Sequence, residues 1–369
     1  MGEATESNNL EDWDRIIRDI KDEKCILFIG PDSVMQAPGV SYHQQLISSP
    51  GFQNNKQFRY LPREELFLLT KNFYRGSLVG KFKDYCQQNP YYDETYKKIT
   101  AIPFHTIIVV TQYPFLIQSF QSNNIAFQHR WFSKSFDKSK PDEEIETPSA
   151  EIPLVYNLFG RFEIDNSLLL TYTDLFDYAS IMLNENTIPT KLKDLVKSAD
   201  EIIFLGFKFE KWYVQLLLRL FKLNDLNAGF ERLSIMSGDE ADVLNICETD
   251  FSMNFIDDNI DTFINTLYDK CVENGITLRK PAAVIISTPQ DEFATLLENN
   301  LFDDALKKLK DLEVKYNLRD TVTQLTGQWN SIKDNHKDGI ISTQDYMLNM
   351  NQMRKRIQDA IDDDLEQAK

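Results

Sequence analysis

The 369-residue chain is 42% apolar and 26% charged, with a formal net charge of −17. That length is enough for two domains and a large core. The acidic balance argues against a nucleic-acid partner and against an anionic membrane surface: tracking phosphates needs clustered Lys and Arg, and acids closely follow the densest basic run, Arg354-Lys355-Arg356.

Residues 1–9 are polar and acidic, lack the basic and apolar regions of a signal peptide, and read as a disordered N-terminus. Trp13, Ile16, Ile17 and Ile20 share one face of a first helix over residues 10–21. The run Cys25-Ile26-Leu27-Phe28-Ile29-Gly30 is continuous, apolar and closed by glycine. That is the pattern of a buried parallel strand entering a loop. Residues 41–100 hold no comparable run and read as a helical insertion over the strand ends, with helices at 64–72 and 80–88. The strand pattern recurs at 106–111, 154–158, 168–171, 202–206 and 233–236, mostly separated by helical patterns. This alternation predicts a Rossmann-like, doubly wound, mostly parallel α/β sheet. Residues 133–149, polar and carrying Pro141 and Pro148, read as an exposed, mobile loop.

The longest apolar stretch, 212–223, is interrupted by Gln215, Arg219 and Lys222, so no membrane-spanning helix is expected. Cys25, Cys86, Cys247 and Cys271 are scattered, with no Cys-x-x-Cys pair. They predict buried free thiols in a reducing cytoplasm and no metal site.

The character changes near Pro281 and Pro289. The expected organisation is an α/β domain over 10–279, a linker over 280–290 and a small all-α domain over 291–369. Asn300 is the expected N-cap of the first tail helix, with Asp303 in its first turn. Phe302, Ala305, Leu306, Leu309 and Leu312 form one apolar face, and Leu318, Val322, Leu325 and Trp329 another. Ser342 is the expected N-cap of a last helix with Asp345 near its third position, striped by Met350, Met353, Ile357 and Ile361.

Three stretches carry a resemblance. Ile152-Pro153-Leu154-Val155-Tyr156-Asn157-Leu158-Phe159-Gly160 comes first. Leu168-Leu169-Leu170-Thr171-Tyr172-Thr173-Asp174 follows, and then Ile202-Ile203-Phe204-Leu205-Gly206-Phe207-Lys208-Phe209-Glu210-Lys211-Trp212. Together they resemble the SIR2-like (sirtuin-type) domain of bacterial antiphage and conflict proteins. The resemblance implies NAD at the carboxyl ends of the strands, held by a Gly-Ala-Gly-x-Ser loop after the first strand. It also implies an asparagine that holds the nicotinamide ribose and a Leu-His-Gly histidine that handles a ribose proton. The tail resembles effector-associated domain type 11 in Asp304-Ala305-Leu306, Gln328-Trp329-Asn330, the turn over 339–345, Asn351 and Arg356.

The residues depart from that pattern at three places. The loop reads Gly30-Pro31-Asp32-Ser33: Pro31 has no N–H, and Asp32 brings an anion toward a diphosphate, a repulsion of about 1 to 4 kcal/mol at a few ångströms. A structural role for Ser33 is to cap the next helix. In Val110-Thr111-Gln112-Tyr113-Pro114, Thr111 is kept, and Gln112 stands for the asparagine with one methylene more. Phe159 replaces the histidine and can neither accept a proton nor hydrogen-bond. His43, His105, His129 and His336 lie elsewhere, and Asp174 and Asp177 match an acidic segment that helix capping also explains.

The expectation is therefore a degenerate SIR2-like protein. Catalytic roles are absent at Gln112 and Phe159, and Gly30, Asp32, Ser33, Thr111, Gln112 and Gly206 are vestigial cofactor positions. No cofactor is expected, NAD and ADP-ribose being the candidates if one binds. The implied partner is an effector carrying a like helical domain, with a homo-oligomer as a further arrangement. Two alternatives stand beside it: an active NADase using Gln112 and a displaced histidine, and an ADP-ribose sensor without turnover.

Overall fold

The computed structural model describes residues 13–37, 40–91, 94–132, 145–183, 188–224, 231–236, 241–281, 297, 302–316, 321–337, 340 and 343–367. The chain divides into two compact units, Met1–Ala282 and Ala283–Lys369.

The first unit runs α1 (Trp13–Lys21), β1 (Cys25–Ile29), β2 (Met35–Ala37), β3 (Val40–Ser41), α2 (Tyr42–Ser48), β4 (Phe58–Leu61), β5 (Leu66–Leu69), α3 (Arg75–Gln88) and α4 (Glu94–Ala101). It continues with β6 (Thr106–Val109), α5 (Phe115–Ser122), β7 (Gln128–Trp131), β8 (Leu154–Asn157), α6 (Tyr172–Met182) and α7 (Thr190–Lys197). Last come β9 (Glu201–Leu205), α8 (Trp212–Leu220), β10 (Glu231–Met236), α9 (Ala241–Phe251), β11 (Met253–Asp257) and α10 (Ile260–Glu273). Seven strands form one parallel sheet in the order β11-β10-β9-β1-β6-β8-β7. This is the expected doubly wound α/β fold. Its central strands are buried on both faces, which is why they read as unbroken apolar runs. Along β1, Ile26 and Phe28 enter one apolar cluster and Cys25, Leu27 and Ile29 the other, so each face carries its own core.

The sheet order places a switch between β1 and β9. From β1 the chain builds outward through β6, then crosses back to β9 on β1's other side. Open α/β sheets bind ligands at the carboxyl ends of the strands flanking such a point.

Several sequence expectations are corrected. Residues 64–72 are not a helix. Leu66–Leu69 pairs antiparallel with Phe58–Leu61, and Glu65 closes the turn at φ 57°. Phe58 and Phe67 anchor this hairpin in the core, so the insertion is mixed rather than helical. Residues 168–171 make no ladder. A single bridge joins Thr171 to Phe67, and the Leu168 and Leu169 carbonyls are taken by the side chains of Arg75 and Gln112. β7 and β11 were not foreseen, being short edge strands interleaved with polar residues. Of the loop at 133–149, residues 133–144 lie outside the described residues, while its end is fixed: Ile145 is buried, and Lys191 donates to its carbonyl (3.0 Å).

Near the end of this unit, Arg279 ties the chain to the amino-terminal side of the sheet. Its buried guanidinium donates to the carbonyls of Ala150 (2.5 Å), Thr100 (3.1 Å), Ile102 (2.6 Å) and Phe104.

The second unit has α11 (Phe302–Tyr316), α12 (Val322–Lys337) and α13 (Thr343–Gln367). Phe302, Leu306, Leu309, Val322, Leu325, Trp329, Met353, Ile357 and Ile361 form its core, which uses the apolar faces read from the sequence. Buried Glu313 accepts from the amides of Thr321 (2.7 Å) and Val322 (3.0 Å), placing an anion at the start of α12. Asn300, Leu318, Gly339 and Ser342 lie outside the described residues.

Candidate functional site

The site expected of this topology lies where the loops after β1 and β9 meet. Here the loops meet each other. The Gly30 amide donates to the Leu205 carbonyl (2.8 Å), Asp32 to Gly206 (3.0 Å) and Ser33 to Gly30 (3.2 Å), and Pro31 has no amide. A Cβ on Gly30 would overlap the Gly206 carbonyl, and one on Gly206, at φ 65°, would overlap the Ser33 backbone. The two glycines thus serve close packing of backbone on backbone. A diphosphate needs free amides from such a loop, and residues 30–33 have none to offer. The loop as folded does not fit that group.

Ser33 does not cap the next α-helix. Its buried hydroxyl donates to the Gly30 carbonyl (2.7 Å) and lies 3.0 Å from the Tyr96 hydroxyl. The cap of α2 is Ser41, in a reciprocal capping box with Gln44.

Charge seals the same place. The Lys208 ammonium, on the loop after β9, meets Asp32 at 2.8 Å and Glu65 of the hairpin turn at 2.6 Å. Lys211 lies 3.7 Å from Glu65 and donates to the Arg63 carbonyl. Burial pushes the Asp32 carboxyl above the usual carboxylate range, against the pull of Lys208. Burial works against the Lys208 charge, but Asp32 and Glu65 outweigh it and raise its pKa. Asp32 is therefore a partner in an internal ion-pair network.

A histidine borders this network. His43 Nδ1 lies 2.8 Å from the Tyr113 hydroxyl and Nε2 lies 3.0 Å from the Tyr60 hydroxyl. Burial lowers its pKa to about 4, so the ring is neutral at pH 7 and bridges two phenols, accepting from one and donating to the other. Tyr60 belongs to β4 and Tyr113 follows Gln112, so the imidazole joins the insertion to the loop after β6.

The second half of the expected site, over β6 and β8, is apolar. Phe159 is 3% exposed, with its ring 5.6 Å from Tyr178 and 6.0 Å from Tyr213. Among the described residues the buried Tyr178 hydroxyl has no hydrogen-bond partner. Gln112 donates through Nε2 to the Leu169 carbonyl (2.6 Å) and is spent on holding that segment. Thr111 is buried, its hydroxyl accepting from the Tyr113 amide (3.3 Å). Asp174 is the third residue of a capping box with Thr171 and pairs with Arg75 (3.2 Å), so capping and an ion pair account for its burial. The structure thus gathers Gly30, Asp32, Ser33 and Gly206 at one crevice. Thr111, Gln112 and Phe159 lie on neighbouring strand ends.

Sequence reasoning missed Tyr60, Glu65, Lys208 and Lys211. It also missed an exposed aromatic ledge. Phe176 (48% exposed) and Trp212 (42%) lie 6.0 Å apart, and Tyr172 lies 5.0 Å from Phe176. Isolated surface rings are ordinary, but Phe176 in contact with both Tyr172 and Trp212 makes a contiguous patch suited to a partner. The remaining histidines stand apart from the crevice. His105 is buried just before β6, His129 of β7 contacts Asn157 of β8 (3.3 Å), and His336 stacks on Tyr346 in the second unit. All four cysteines are buried, and none forms a disulfide. Among the described residues, no group of three or more His, Cys, Asp or Glu is placed to hold a metal ion, and no helix is long and apolar enough to cross a membrane.

Comparison with known families matches two of their models. Residues 112–249 match the SIR2-like domain, and residues 288–366 match effector-associated domain 11. No curated protein matches the chain. The first match spans the strand ends that carry Gln112, Phe159 and Gly206. The second covers the helical unit, where the guanidinium of Arg356 donates to Gln328 Oε1 (2.7 Å) between two of the motifs read from the sequence.

Proposed function

We propose that this chain, a SIR2-like domain joined to an effector-associated domain 11, is a subunit that senses or scaffolds in a conflict-type system and does not cleave NAD. The make-up of the chain is that of a conflict or antiphage protein. The observation that carries the finer reading is the closed crevice between β1 and β9. Every amide of the loop over 30–33 is bonded within the protein, and Asp32, at the position that the resemblance assigns to the diphosphate loop, is paired with Lys208. Phe159 adds a second reason, since a phenyl ring offers no base. The exposed ledge of Tyr172, Phe176 and Trp212 supports an interaction role. In this reading the helical unit recruits a partner effector carrying a like domain. The SIR2-like domain contributes its fold and its surface, and works in the cytoplasm.

The test is incubation of the purified protein with NAD, alone and with its partner, and chromatographic detection of nicotinamide. No release above background is expected. Rapid release on assembly would replace this reading with that of an NADase. Calorimetry with ADP-ribose separates the remaining pair: heat of binding without turnover would make the protein a nucleotide sensor.

A further inference from the structure

The hairpin of β4 and β5 meets the β9 lip of the crevice directly and the β1 lip through Lys208, and only its tip is held by charge. Its base is fixed: Phe58 and Phe67 are core residues, Phe52 packs on both (5.8 and 5.4 Å), and the Phe67 amide donates to the Leu170 carbonyl (3.0 Å). The tip differs. Pro62 and Arg63 are exposed, Tyr60, Leu61, Glu64 and Glu65 are half-buried, and Glu65 holds a left-handed backbone that disfavours a residue with a side chain. What seats the tip is polar. Lys208 joins Glu65 to Asp32, Lys211 donates to the Arg63 carbonyl, and Tyr60 meets His43.

We propose that this tip is a strap, latched across the β1/β9 crevice by Lys208, and that its release uncovers His43. The geometry is that of a hinged element. An apolar base keeps the hairpin in place, while contacts that water can replace hold the end. Ion pairs that water partly reaches are cheaper to open than an apolar core, so the latch opens at modest cost while the core stays closed. Releasing the tip withdraws the Tyr60 hydroxyl from His43 Nε2. Tyr113, on the fixed loop after β6, still holds Nδ1 at 2.8 Å. The result is an oriented imidazole with one nitrogen facing the carboxyl edge of the sheet. The latch therefore couples the state of an ion pair on the β9 loop to the exposure of a basic group on α2. It does so whether or not the domain turns over a nucleotide.

The experiment compares wild-type full-length protein with Lys208→Met, Glu65→Gln and Lys208→Arg by two readouts that do not depend on activity. One is amide hydrogen exchange. The other is peptide-mapped carbethoxylation of histidines with diethyl pyrocarbonate, with His336 in the helical unit as the internal reference. Lys208→Met and Glu65→Gln are expected to speed exchange at residues 61 and 63–66 by about tenfold and to raise modification of His43 several-fold. Lys208→Arg, which keeps the cation, should stay near wild type, and β1, β6 and β9 should exchange at unchanged rates in all variants. Exchange that rises evenly across the first unit would overturn the proposal, because the ion pairs would then be ordinary contributors to global stability. So would an unchanged tip together with an unchanged His43. Glu65→Gln keeps the size of the side chain, so a misfolded Lys208→Met leaves the question answerable.

Discussion

At the β1 and β9 ends of the sheet the crevice is closed by charge and backbone; at the β6 and β8 ends it is filled by rings. The two closures differ in kind. Lys208, Asp32 and Glu65 are partly open to water, and Lys208 is one-third exposed. Phe159 is 3% exposed and packs against Tyr178 and Tyr213. Polar contacts of the first sort exchange with water at small cost, whereas an aromatic ring in a core is held by its buried area and by the cavity its removal would leave. The carboxyl edge of the sheet is thus closed by contacts that water partly reaches on one side and by buried packing on the other.

The largest test of that contrast is truncation on each side. Phe159→Ala should cost about 3 to 5 kcal/mol of stability, as core aromatic truncations do. Lys208→Met should cost about 1 to 2 kcal/mol, because its partners are only partly open to water. Urea unfolding of the first unit reads both. Equal losses would mean that the ion pairs are as structural as the ring, and the contrast would collapse.

A second test concerns buried imidazoles. Burial lowers the pKa of His105 to about 4, against a hydrogen bond to the Cys25 backbone that favours the charged ring. A depressed folded pKa means that the unfolded chain takes the proton first. The associated stability is fully present above the unfolded value near 6.5 and is lost as pH falls toward about 4. The expected loss is roughly 3 kcal/mol for this ring. His105→Leu should flatten the decline in unfolding temperature between about pH 6.5 and 4. His43, also lowered to about 4, leaves part of the slope in that variant. An unaltered slope would place the acid sensitivity in other groups.

The apolar side of the molecule was the more legible in sequence. β1, β6, β8 and β9 announce themselves as continuous apolar runs because they are buried on both faces. The tail helices show stripes because each buries one face. The hairpin misled because Leu66-Phe67-Leu68-Leu69 is a short apolar run preceded by acids, and periodicity alone does not separate such a run from a helix. The polar closure was unreadable on other grounds. Lys208 and Glu65 stand 143 residues apart, and His43 and Tyr113 stand 70 apart. Nothing local marks such partners, and only the fold brings them together. Asp32 shows the limit well. Its clash with a diphosphate follows from its place after Gly30, but its pairing with Lys208 does not.

The smallest expected effect is also the sharpest. Phe159→His restores the imidazole on the filled side and leaves the charged side as it is. Tyr178, whose buried hydroxyl has no partner among the described residues, offers the new ring a hydrogen bond, so the variant should fold. A general base contributes about 10²- to 10⁴-fold when the rest of a site is in place. Here the rest is not: the amides of residues 30–33 stay bonded, Asp32 keeps its place, and Gln112 remains spent on Leu169. Groups that act as a unit do not repair additively. Phe159→His should therefore release no more nicotinamide from NAD than wild type, by the same chromatographic assay. Adding Asp32→Gly to it tests the other closure, because that removes the anion and releases Lys208 from one partner. Turnover by the single variant would show that the β1/β9 crevice admits a dinucleotide as it stands. The ring, and not the charge, would then be what silences the site.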